Sequence, residues 1–316
     1  MNLPKMLAEW RWSSELRSPL VLALIGLLAM QLLLALGLRL NAAPVTAFAP
    51  ATPLLSFAAN AVTRIRIDNA GGATAVTLQR NAAGNWVIPE LSDFPAAPEK
   101  ITQLLATLTQ LKRPLPVATS AAALARFHVT ADDYERRVIL ESQHGAVATL
   151  LLGDAAGFRR LFARPATDAA VYELPLALSD LSNRHEDWFD SNVLRVPLAE
   201  LVRIESAEWT LVKNGADWRF DGNAEMVNQI KVKSLVTRLA NLTYRNVLTT
   251  NALIDETQSP QQFKLTLANG SQRQYQIWHL KDSANYVLQD SAHSWRFQLA
   301  ASDVDEVLAL KELNIK

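Results

Sequence analysis

The chain reads as an α+β protein in which an N-terminal transmembrane helix precedes two tandem copies of an antiparallel sheet packed against a long amphipathic helix. Three observations predict it. Pro19 to Leu38 is an apolar run with no charged residue. Two later segments, residues 101–111 and 232–242, carry apolar residues at one and the same helical spacing. Around each of them, strand-like segments recur in the same order.

The apolar run, PLVLALIGLLAMQLLLALGL, holds a single polar residue, Gln31. A helix of about twenty such residues spans a bilayer core, whereas a cleavable leader usually has an apolar stretch of only ~7–15. An uncleaved anchor over residues 19–38, in contact with the lipid bilayer, is therefore expected. Lys5, Arg11 and Arg17 precede the run, while Arg39 is the last basic residue after it until Arg64. Basic flanks stay on the cytoplasmic side, which places residues 1–18 inside and the remainder outside, the periplasm of a bacterial inner membrane. Gln31 would find hydrogen-bond partners in lipid only on another helix, and is the candidate membrane-partner contact.

Residues 39–61 are rich in Ala and Pro and carry no charge beyond Arg39, a composition that suits a semi-extended tether. Val62 to Asp68 then alternates with period two, as a half-buried strand does. Strands are expected at 75–80 and 85–88, and a helix over 98–111 with Ile101, Leu104, Leu105, Leu108 and Leu111 on one face. Further strands follow at 137–141, 147–152, 159–163 and 170–174, with a short helix near Ser179. Leu152-Gly-Asp154 reads as a hairpin turn.

From residue 200 the series restarts. Leu201-Val-Arg-Ile204 answers Ile65-Arg-Ile67, Thr210-Leu-Val-Lys-Asn214 answers Thr77-Leu-Gln-Arg-Asn81, and Trp218 answers Trp86. The second helix face, Val232, Leu235, Val236, Leu239 and Leu242, repeats the first position for position. Val247-Leu-Thr249 answers Val117-Ala-Thr119, and Phe263-Lys-Leu265 answers Val138-Ile-Leu140. The chain thus divides into a tail (1–18), a span (19–38), a tether (39–61), repeat 1 (62–183), an inter-repeat joint (184–199) and repeat 2 (200–316). Trp86 and Trp218 are read as equivalent core anchors.

Composition narrows the chemistry. Lys+Arg and Asp+Glu both number 31, and a neutral chain lacks the basic surplus that nucleic-acid binding requires. Cysteine is absent, so neither a thiolate nucleophile nor a cysteine metal site is available. No catalytic elbow, zinc-type histidine pair or phosphate loop appears, and the five histidines are scattered. No enzyme activity, catalytic residue or cofactor is expected. The densest polar cluster, Arg184 to Asp190, sets His185 and Asp187 beside Trp188 and Phe189. Three acids and a histidine could gather a cation, but the position between the repeats and the Trp-Phe pair favour a domain joint.

The strand–strand–Trp opening (77–81 to 86–88), the helix 99–111, Leu150-Leu-Leu-Gly-Asp154, Val171-Tyr172 and the passage 185–194 into Val202-Arg-Ile204 carry a resemblance. The chain resembles the bacterial domain of unknown function 4340 family over most of residues 62–316. The resemblance implies a single-span envelope protein of the kind often encoded beside ABC-type or gliding-type permeases, and brings no catalytic residues with it. Its implied partners are ABC-type permease or ATPase subunits. The reading that follows is a non-enzymatic accessory subunit of an envelope transport system. A ligand-binding module for a glycan, lipid or peptide, using the cleft between the repeats, is the alternative.

Overall fold

The computed structural model describes residues 19–41, 52–72, 74–222, 227–248, 254 and 259–308. Helix α1 covers Pro19–Asn41. Proline stands only at its first position, where the missing N–H costs nothing. Its Pro19–Leu36 window has a mean hydropathy of 2.5 with none of it buried. Its 23 residues reach about 35 Å at the usual helical rise, more than the ~30 Å of a bilayer's hydrocarbon core. The helix is long and apolar enough to cross a membrane, which fits a single-pass anchor and equally a signal sequence. Gln31 lies exposed on it. The expected tail, residues 1–18, and the first part of the expected tether, residues 42–51, lie outside the described residues.

The chain divides after Ala51, and the unit that begins at Thr52 contains two eight-stranded sheets. The first is made of β1 (Arg64–Asp68), β2 (Ala75–Arg80), β3 (Trp86–Ile88), β4 (Phe94–Pro95), β5 (Arg136–Ser142), β6 (Gly145–Gly157), β7 (Arg160–Pro165) and β8 (Tyr172–Leu174). Its order is β4-β3-β2-β1-β5-β6-β7-β8, antiparallel throughout. The second holds β9 (Leu201–Ser206), β10 (Thr210–Asn214), β11 (Asp217–Phe220), β12 (Asn246–Leu248), β13 (Gln261–Leu267), β14 (Gln272–His279), β15 (Tyr286–Asp290) and β16 (Arg296–Leu299). Its order, β11-β10-β9-β13-β14-β15-β16-β12, follows the first sheet strand for strand from β3 to β8. β12 then flanks β16, and in the first half the bridge of Ala118 to Val171 stands at the matching place beside β8. Trp86 and Trp218 occupy β3 and β11 and are both buried.

Period-two patterning puts one face of each sheet inward. In β1, Ile65 and Ile67 are fully buried while Arg64 and Arg66 point out. Helix α2 (Pro98–Gln110) buries Ile101, Leu104, Leu105 and Leu108, and α4 (Gln229–Ala240) buries Val232, Leu235, Val236 and Leu239. Each such side chain is worth roughly 1.5–3 kcal/mol. Pro98 opens α2, and the Asn228 side chain accepts from the N–H groups of Ile230 and Lys231 to cap α4. Two short helices, α3 (Ala121–Arg126) and α5 (Ala301–Leu308), complete the set.

Three expectations need correction. The amphipathic helices are short, 13 and 12 residues, not long. The apolar stripes run on to Leu111 and Leu242, and both are buried, but on backbone that has already left the helix. The tether ends earlier than residue 61. Leu54 and Leu55 are buried, and backbone bonds Leu54 N–H to Leu111 O (2.8 Å) and Arg113 N–H to Thr52 O (2.8 Å) tie this segment beside the end of α2. Two adjacent leucines gain more from the core than the proline-rich composition gains from remaining extended in water.

Finally, Gly153-Asp154 is no hairpin turn. It lies within β6, at a register shift between Leu152 and Ala155. The loop after α3 crosses here so closely that a Cβ on Gly153 would sit 1.9 Å from the carbonyl oxygen of Phe127. Glycine is required for room to pass, not for a turn. The chain reverses instead between Gly157 and Arg160.

Candidate functional site

The segment that leads from the first sheet into the second is the cluster singled out in the sequence. His185–Trp188 forms a single 3₁₀ turn. Ser182 organises it. Its hydroxyl donates to the Asp187 carboxylate (2.5 Å) and its carbonyl accepts from Trp188 Nε1 (2.9 Å). The remaining acids are engaged nearby. Glu186 pairs with Arg184 at 3.5 Å, and the Asp190 carboxylate accepts from the N–H of Asn192 at 2.9 Å. Among the described residues no three His, Asp or Glu side chains come together as a metal site would require.

Backbone bonds stitch this turn to the first half. Ala97 N–H donates to Trp188 O (2.8 Å), Asp190 N–H to Pro95 O (3.1 Å), and Phe189 bridges Ala96. Lys100 of α2 donates its ammonium to Asp187 O at 2.7 Å. Trp188 and Phe189 are buried. Of the candidate residues, the structure thus brings Asp187, Trp188 and Phe189 to one joint with α2 and β4. His185 is half-buried, its Nε2 without a hydrogen-bond partner among the described residues. Gln31 belongs to the other unit.

Phe189 opens an aromatic cluster that sequence reasoning missed. Phe94, fully buried, has its ring centroid 5.0 Å from Phe189, 5.9 Å from Tyr244, 5.0 Å from Trp295 and 6.1 Å from Phe297, each edge to face. Such pairs add about 0.5–1.5 kcal/mol beyond their buried area. The cluster thus joins Phe94 of the first half to Phe189 of the joint and to three rings of the second half. Trp295 also donates its indole N–H to Leu91 O (3.0 Å) and Ser92 O (3.2 Å), from the residue before β16 to the loop before β4. That loop holds Ser92 and Asp93 at φ of 56° and 58°, the left-handed region that side chains other than glycine seldom enter. The Tyr244 hydroxyl donates to Asp190 O at 2.5 Å. Burial pushes that phenol well above its ordinary pKa, and the nearby Asp190 charge adds to the rise.

Beyond Asp190 the strap is held by charge. Arg273 on β14 donates to the carbonyls of Val193 (3.2 Å), Leu194 (3.5 Å) and Arg195 (3.2 Å) and bonds the carboxylate of Asp290. His293 Nδ1 lies 2.8 Å from the same carboxylate. Burial pushes the Asp290 carboxyl up, but the bonds from His293, the Ala292 N–H and Arg273 outweigh it and hold the group below the usual carboxylate range. Asp68 in the first sheet is similar. It is fully buried and raised by burial, yet lowered overall by Arg137 (2.9 and 3.1 Å), Arg66 (3.1 Å) and Tyr134 (3.2 Å).

The sequence signals for this cluster were Phe189 in the joint and the pairing of Trp295 and Phe297 two residues apart at the start of β16. Phe94, Phe189 and Tyr244 are too far from that pair in the chain for any periodicity to link them.

Fold and joint together describe a two-sheet α+β unit, with filled contacts between its halves, in a chain that also bears one apolar helix. The model of a described family, Domain of unknown function (DUF4340), matches residues 86–265, more than half of the chain, and the protein belongs to that family. The matched stretch is narrower than the expected 62–316, running from β3 through the joint to β13. No curated protein and no solved structure matches the chain.

Proposed function

We propose that this protein is a non-enzymatic accessory subunit of an ABC-type envelope transport system, acting through protein–protein contacts. In this reading α1 anchors it in the bacterial inner membrane, with the N-terminus cytoplasmic and the two-sheet unit periplasmic. The observation that carries it is the filled joint. Phe94 and its four ring partners fill the contact between the two sheets, which suits docking to a partner better than closing on a substrate. Lys5, Arg11 and Arg17 before the span, against Arg39 alone just after it, support the orientation, and Gln31 is the residue of α1 that would bond to a permease helix. The ABC-type partner rests on what the family resemblance implies.

The alternative, a glycan, lipid or peptide held in the cleft between the repeats, has less to support it, because aromatic rings already occupy that space. Affinity purification of the full-length protein in mild detergent, followed by mass spectrometry, tests the proposal. Stoichiometric permease or ATPase subunits are expected, and repeated recovery of the protein alone would overturn it.

A further inference from the structure

Beside the joint, on the α2 side of the first sheet, lies a cavity of about 650 Å³, within the range of roughly 300–1,000 Å³ typical of small-ligand sites. α2 forms one wall with Lys100, Gln103, Leu104 and Thr107, the i, i+3, i+4, i+7 stripe of a single helix face. The segment from Pro175 to Trp188 forms the other. Its charge is unbalanced. Lys100, Arg136, Arg159 and Arg184 line it against two carboxylates, Asp180 and Asp187, and Arg184 is paired with Glu186 beside the lining, so one positive charge is in excess in a chain whose net charge is zero.

The two carboxylates are already committed, Asp180 to Arg159 at 2.7 Å and Asp187 to Ser182 at 2.5 Å. Lys100 and Arg136 have no carboxylate among the described residues. Each donates to a backbone carbonyl instead, Lys100 to Asp187 O at 2.7 Å and Arg136 Nη1 to Glu135 O at 2.6 Å. Arg136 stands at the start of β5, two residues before the core-facing Val138, and its Nε is buried with no hydrogen-bond partner among the described residues. A buried guanidinium N–H left unpaired is costly, and an oxyanion is the acceptor its geometry fits best. The rest of the lining is mixed, with Leu104, Leu176, Leu178 and Trp188 set among polar residues such as Gln103 and Asn183.

We infer that this cavity is a binding site for a phosphomonoester carried on an apolar group. A phosphomonoester bears nearly two negative charges at neutral pH and three acceptor oxygens, enough to serve both Lys100 and Arg136, and the leucines and Trp188 of the lining take the apolar part. The site goes beyond the assembly proposed above, and a chain that purifies without partners would leave it standing.

The test is calorimetric titration of the full-length protein in detergent with three probes: inorganic phosphate, dihexanoyl phosphatidic acid, and dihexanoyl phosphatidylcholine as a zwitterionic control with the same chains. Phosphatidic acid should bind at least tenfold more tightly than phosphatidylcholine. Lys100→Gln and Arg136→Gln should each weaken it about tenfold, with the thermal transition retained. Lys100 is exposed on α2, so its variant tests the site even if Arg136→Gln fails to fold. Inorganic phosphate binding as tightly as phosphatidic acid would overturn the part played by the apolar group and assign the site to the free anion. Phosphatidic acid tighter than inorganic phosphate would assign it to a lipid-borne phosphate. Equal affinity for the two lipids, unchanged affinity in the Lys100 variant, or no binding of any probe would overturn the proposal.

Discussion

Arg273 bonds the carboxylate of Asp290 and, with the same guanidinium, holds the carbonyls of Val193, Leu194 and Arg195 that lead into the second sheet. Asp290 is fully buried, so its loss leaves a cation uncompensated as well as the strap unheld. Asp290→Asn should cost roughly 3 kcal/mol, read as a lower denaturant midpoint for the full chain.

The same pair sets an acid limit. Asp290 and Asp68 both sit below their ordinary value of 3.8 in the folded chain. A depressed carboxyl contributes stability that is complete above its unfolded pKa and is lost as pH falls through the folded one. Unfolding free energy should therefore drop as pH is lowered from about 4, and the drop should be shallower in Asp290→Asn. Equal slopes in the two proteins would show that the charge of Asp290 is not what acid titrates.

Phe94, from the first half of the chain, is fully buried against Phe189 of the joint and three rings of the second half. Phe94→Ala should cost about 3–5 kcal/mol and split a single unfolding transition into two. Trp295→Phe keeps a ring against Phe94 but removes the indole N–H bonded to the 91–92 carbonyls, with an expected cost of about 1–2 kcal/mol. Denaturant melts followed by tryptophan fluorescence and by circular dichroism would tell these outcomes apart.

At the crossing of β6 by the loop after α3, Gly153→Ala would press a methyl group into the Phe127 and His128 carbonyls. Overpacking of this kind costs about 1–3 kcal/mol, and here backbone stands in the way, so the upper end is expected. Hydrogen exchange should locate the loosened region in residues 127–129 and 153–155.

Local pattern made much of this fold legible. Ile101, Leu104, Leu105 and Leu108 announced a helix face by spacing alone, and Ile65 and Ile67 announced a strand. The recurrence of Thr-Leu before a Trp-bearing strand pointed to two sheets of one design. What remained hidden was whatever depends on distance through space. Leu54 and Leu55 were masked by the prolines around them, Gly153 looked like a turn because its neighbour across the fold is 26 residues earlier in the chain (Phe127), and the Arg136 cavity needs four separate segments to exist at all. In the joint, Trp188 and Phe189 were visible, while the ring that Phe189 packs against, Phe94, was not.

The Trp295 indole completes a loop that was synthesised 204 residues earlier. At a ribosomal pace of ~5–20 residues per second, roughly 10–40 s separate the emergence of Leu91 from that of its partner. During that interval Phe94 has no ring from the second half to cover it, and the nascent first sheet presents an oily edge to whatever is near. Biogenesis of this protein therefore contains a waiting period, in which a chaperone would guard the first half until the second arrives.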